Sequence, residues 1–166
     1  MKPYHLLFLF LVYACQKDSH MPSNNDPEAF TIPIIRIDTQ FIPIDSKEDY
    51  VDAKIIVEGV DPNHNLAETS TRIKGRGNST WSLGLEWGKK PYQIKFSDKT
   101  EILGMPQDKK WVLLAELSDK TFIRNKIARY LGNRSRFDYT PTAKYVELFV
   151  NDEYQGLYLI GQKVEE

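Results

Sequence analysis

The sequence predicts an α+β domain, an antiparallel sheet with a single helix packed against it. Three observations carry that reading. Short isoleucine- and valine-rich runs bounded by polar turns recur between residues 31 and 96. Only one segment, residues 119–131, has a helical period. Two further strand-like runs then flank the turn residues Asn151, Asp152 and Glu153. At 166 residues the chain has room for one domain and a short tail.

In chain order, residues 31–39 (TIPIIRIDT) form the first expected strand, with Pro33 at its start or on an edge. A polar turn at 45–49 leads to a strand over 51–60, closed by Gly59 and the DPNHN turn. Residues 69–74 and 91–96 make two more strands around a tryptophan-containing loop, and 97–99 reads as a short hairpin turn. The run WVLLA at 111–115 is a buried strand. In the helix, Ile123, Ile127, Tyr130 and Leu131 fall at i, i+4, i+7 and i+8, one face of an amphipathic helix. Ser118, Asp119 and Thr121 offer caps, and Gly132-Asn133 marks the stop. Strands over 144–151 and 154–161 complete a hairpin.

Composition narrows the function. A net charge of −1 lacks the basic excess of a nucleic-acid binder. One cysteine rules out a disulfide framework, so the domain holds by its core. No metal site is expected, because His20 and His64 are isolated in polar stretches. Residues 1–15 form an address segment: Lys2 and His5 precede an apolar run at 6–14, well short of the roughly 20 residues that span a bilayer. The run ends at Cys15 and resembles a bacterial lipoprotein signal, in which that cysteine is acylated. This implies a membrane-anchored protein of the cell envelope, at the outer membrane or cell surface. The alternative is a soluble secreted protein cut nearby. Residues 16–30 are a polar tether, and 31–166 the folded domain.

Candidate chemistry concentrates in residues 74–96, KGRGNSTWSLGLEWGKKPYQIKF. Gly75 and Gly77 permit left-handed backbone, which lets successive N–H groups converge on an anion. Arg76 can bind phosphate bidentately, and Asn78 and Ser79 add donors. A glycine-containing hairpin turn explains the pattern as well. Alternation places Lys90 on one face with Tyr92, Ile94 and Phe96, and Lys95 on the other with Lys89 and Gln93. Lys90 is then a cation over dry ground seeking phosphate or carboxylate, or else a snorkelling surface lysine. On the helix, Lys120, Arg124, Lys126 and Arg129 line the outer side, a solvated face by default. Arg124 stands where a phosphate would also meet the helix dipole.

Taken together, KGRGNSTW, KKPYQIKF, LGMPQDKKWVLLAELSDKTFIRNKIARYLG and DYTPTAKYVELFVNDEYQGLYLIGQKVEE resemble the spore-coat protein H (CotH) kinase family over residues 32–166. The resemblance implies the small lobe of a degenerate protein-kinase-like fold, using ATP and Mg²⁺ to phosphorylate hydroxyls of a protein substrate. It makes the 74–81 turn the phosphate side and Lys90 the strand lysine, with Lys95 second. Arg76, Asn78, Ser79 and Arg124 become phosphate ligands and Gln162 a hinge residue. The helix lacks the glutamate that pairs a kinase strand lysine, and Glu116 is the nearest substitute. Family members continue into a second lobe with the catalytic and magnesium-binding aspartates. This chain therefore reads as an N-terminal part, truncated before the large lobe, with no catalytic residue of its own and no activity alone. The competing reading is a non-enzymatic surface-binding or adhesion module that keeps the fold.

Overall fold

The structure, a computed structural model, describes residues 31–164. The signal segment, Cys15 and the tether lie outside the described residues. Seven strands form: β1 (Ile34–Asp38), β2 (Val51–Glu58), β3 (Leu66–Gly75), β4 (Tyr92–Ile102), β5 (Met105–Leu114), β6 (Ala143–Val150) and β7 (Glu153–Gln162). Two α-helices interrupt them, α1 (Ser79–Trp87) between β3 and β4, and α2 (Arg124–Arg134) between β5 and β6, with a single 3-10 turn at Pro62–His64 between β2 and β3.

Each strand follows the period-two rule. Ile35 and Ile37 of β1, Ile55 and Val57 of β2, and Ile73 of β3 point inward. So do Tyr92, Ile94 and Phe96 of β4, Trp111 and Leu113 of β5, Val146 and Leu148 of β6, and Tyr158 and Ile160 of β7. Full burial of one such side chain is worth about 1.5–3 kcal/mol, so this single core dominates stability. The strands close in the order β1-β2-β3-β4-β5-β7-β6. All pairings are antiparallel except the last, in which β1 lies parallel to β6 with Ile35 opposite Leu148. Asn151 at the β6–β7 turn fastens that seam, accepting from the Thr39 amide at 2.8 Å and donating from its own amide to the Ile37 carbonyl at 2.8 Å.

The expected α+β antiparallel sheet with a packed helix is therefore overturned. The sheet is a closed barrel, the domain is mostly β, and it is not the α+β arrangement of a kinase-like small lobe. The reason is physical. Closure satisfies both strand edges and lets inward side chains fill the interior, so no helix is required to cover a face. Three local expectations also change. Residues 97–99 continue β4, whose pairing with β5 is irregular there, and the turn falls at Leu103-Gly104, both in the left-handed region. The tryptophan-containing loop is α1. The expected helix at 119–131 begins only at Arg124, because Phe122 has φ +59°, which is not helical.

Candidate functional site

The β3–α1 turn is shaped by Trp81. A Cβ on Gly75 would lie 2.3 Å from the Trp81 ring, so only glycine lets the indole seat beneath the strand end. Gly77 takes φ +83° and faces the Thr80 hydroxyl. The Gly75 amide donates to the Ser46 carbonyl at 2.8 Å and the Arg76 amide to the Pro91 carbonyl at 3.2 Å. Those two N–H groups are spent inside the protein, so they cannot form the expected anion nest. Of the side chains from Gly75 to Trp81, only that of Arg76 carries a charge.

Arg76 lines a narrow cleft of about 110 Å³ with Thr80, Pro91, Glu116, Ser118 and Asn125. Glu116 has φ +53°, and its two carboxylate oxygens accept from the Asn125 amide at 2.9 and 3.0 Å. Burial pushes the Arg76 guanidinium below its ordinary value, and the nearby Arg129 charge lowers it further. Arg129 is lowered by burial too, with Tyr139 and Glu116 acting the other way. Lys89 is half-buried; its Nζ donates to the Leu157 carbonyl at 2.6 Å and sits 4.6 Å over the Phe122 ring and 4.8 Å over Tyr158. Burial lowers its pKa and Glu116 raises it. Among the described residues none of these three cations reaches a carboxylate at ion-pair distance. Arg76 and Glu116 are the charged residues that line the cleft; Arg129 and Lys89 lie outside its lining, near enough for Arg129 to act on Arg76 and Glu116 on Lys89.

The other residues singled out from sequence are dispersed. Asn78 is the backbone N-cap of α1, its carbonyl accepting from Trp81 and Ser82, and its side chain lines an open surface groove with Lys74 and Lys47. Ser79 is the exposed first residue of α1. Lys90 Nζ donates to the Ile44 carbonyl at 3.4 Å and lies 5.6 Å from the Trp81 ring. Lys95 is on the outer barrel face, 5.9 Å from Tyr50 and opposite Arg72. Arg124 is 77% exposed and lies 3.7 Å from Asp119. Asp119 is buried; its carboxylate accepts from the Thr121 hydroxyl at 2.6 Å and the Arg124 amide at 2.8 Å. A carboxylate thus already occupies the start of α2, where a phosphate was expected to meet the dipole. Gln162 is buried and bonded throughout, accepting from Tyr139 and Thr142 and donating to the Pro106 carbonyl at 2.9 Å.

Sequence reasoning gave Lys89, Asn125 and Arg129 no site role. Pro91 was the available signal for Lys89: β4 starts only at Tyr92, so strand alternation does not extend back across the proline. Asn125 and Arg129 stand four apart on one side of α2. That side, expected to face solvent, faces the barrel: Lys126 Nζ donates to the Ala143 carbonyl at 2.6 Å and Arg129 to the Pro141 carbonyl at 3.0 Å. Ile123, Ile127, Tyr130 and Leu131, expected to pack on the sheet, are exposed, and α2 buries no residue.

A closed barrel with a narrow cleft that holds Arg76 at its β3–α1 turn is thus the class of domain in hand. The family model described as CotH kinase protein matches residues 73–166, the part that builds this cleft, and the chain belongs to that family. No curated protein matches the chain.

Proposed function

We propose that this barrel binds the phosphates of ATP for a CotH-family phosphotransferase that acts on protein hydroxyls. The observation that carries the reading is the Arg76 guanidinium, half-buried beside Arg129 with no carboxylate at ion-pair distance among the described residues. A fully buried ion costs several kcal/mol; partial exposure reduces this, but a like-charged neighbour adds to it. A bound phosphate would offset both. Arg76 would hold phosphate oxygens, Arg129 would complement their charge, and Glu116 with Asn125 would fix the cleft wall.

The fit is partial. At about 110 Å³ the cleft is below the roughly 300 Å³ at which small-molecule pockets begin, so it suits phosphate and not a nucleoside. The single carboxylate in it is held by Asn125, and no group of three His, Cys, Asp or Glu side chains among the described residues could hold a metal ion. The residues here fit phosphate and do not fit Mg²⁺. In this reading the barrel binds and orients, and the acid–base chemistry of transfer is assigned to none of its residues. Anchoring at the cell envelope through acylated Cys15 belongs to the same proposal.

Calorimetric titration with ATP tests it. ATP and tripolyphosphate should compete for one site while adenosine does not, and Arg76→Ala should weaken ATP binding at least tenfold. Unchanged affinity in Arg76→Ala overturns the assignment.

A further inference from the structure

A second cleft, of about 290 Å³, opens where α2 meets the β4–β5 turn and the start of β6. Lys126, Arg129 and Lys144 project into it, and no carboxylate lines it. Lys126 and Arg129 are half-buried, and Lys144 stands at the rim. Lys126 Nζ donates to the Ala143 carbonyl and Lys144 Nζ to the Leu103 carbonyl, each at 2.6 Å. An ammonium has three donors, so those backbone bonds leave each lysine with donors to spare. Burial, then Lys144 and Arg129, push the Lys126 pKa below its ordinary value, the mark of cations crowded together without a counter-charge. Asn133 and Thr142 add neutral polar groups, and Met105 supplies an apolar wall.

We propose that this cleft binds a small organic phosphate, the phosphate on Lys126, Lys144 and Arg129 and the organic body against Met105. The combination of cations with an apolar wall selects an ester over free phosphate, since inorganic phosphate would leave that wall wet. The Arg76 cleft lacks the room for such a body. Arg129, Lys126 and Lys144 are all absent from the lining of the Arg76 cleft, although the two lysines also border a neighbouring cavity beside Asp61 and His64, so the site stands apart from the ATP reading.

Phenyl phosphate is a suitable probe, with inorganic phosphate and phenol as its two halves. By calorimetry, phenyl phosphate should bind saturably and more tightly than either half, and the paired substitutions Lys126→Gln and Lys144→Gln should weaken it at least tenfold. Arg76→Ala should leave it unchanged. In the unsubstituted protein, phenyl phosphate should also slow acetylation of Lys126 and Lys144 read by mass spectrometry, with exposed Lys99 as the control. That second readout needs no variant to fold. Absence of saturable binding, loss on Arg76→Ala instead of the lysine pair, or lysine acetylation indifferent to the probe would each overturn the proposal.

Discussion

α1 and α2 solve the same problem in opposite ways. α1 turns Trp81 inward beneath Gly75 and brings Gly84 so close to Lys89 that a Cβ would lie 2.8 Å from its carbonyl oxygen. α2 turns Lys126 and Arg129 toward the barrel, ties them to the carbonyls of Ala143 and Pro141, and leaves Ile127 and Leu131 outside. The difference teaches that hydrophobic period identifies two faces of a helix without saying which one a fold will take in. A closed barrel fills its own interior, so a helix beside it is held by whatever complements the barrel surface. At β6 that surface is backbone carbonyl, and lysine and arginine stems reach it.

The sharpest way to break the comparison is to truncate the anchor of α1. Trp81→Ala should cost about 3–5 kcal/mol, read from denaturant unfolding, because it empties a buried indole site under Gly75. A cost below about 1 kcal/mol would mean that α1 is held no better than α2.

The cap of α2 should give the next effect, visible in pH. The Thr121 hydroxyl, followed by the Arg124 amide, holds the Asp119 carboxyl below the usual carboxylate range. A depressed folded-state pKa stabilises above the unfolded value near 3.9 and is lost as pH falls through the lower folded value. Asp119→Asn should therefore flatten the acid limb of the stability–pH curve below about pH 4 while leaving its shape at neutral pH unchanged. An acid limb identical to that of the parent protein would remove Asp119 from the account.

The smallest effect should come from the exposed face. Ile127→Ser with Leu131→Ser should change stability by no more than about 0.5 kcal/mol per site, since neither side chain is buried. The same pair should reduce concentration-dependent light scattering, because these residues, with Ile123 and Tyr130, form an apolar face on α2. A stability loss above about 2 kcal/mol would show that the face is packed after all.

Much of the strand content was legible. Ile35 and Ile37, Tyr92 to Phe96, and the Asn151-Asp152 turn announced themselves through alternation and left-handed turn residues. Closure was not, because the pairing of Ile35 with Leu148 has no local signal. The β4–β5 turn was misplaced because Ser97-Asp98-Lys99 is the polar stretch, while the turn itself puts Leu103 at φ +54°. α1 was hidden by its glycine, since Gly84 looks like a breaker and in fact permits close helix–loop contact. In the cleft, Arg76 and Glu116 were among the residues named from sequence. Lys89 and Arg129, beside the cleft, were named but given no site role, because one lies behind Pro91 and the other on a face assumed to be wet.

The parallel seam has a consequence for how the protein is made. Ile34 needs Glu147 and Ile37 needs Val150 before β1 has partners on both sides. During synthesis at about 5–20 residues per second, that first strand waits roughly 6 to 20 seconds with one edge bare. The barrel that has no open edge when finished is, for that interval, a ribbon with two. Its hazard lies in the order of its birth.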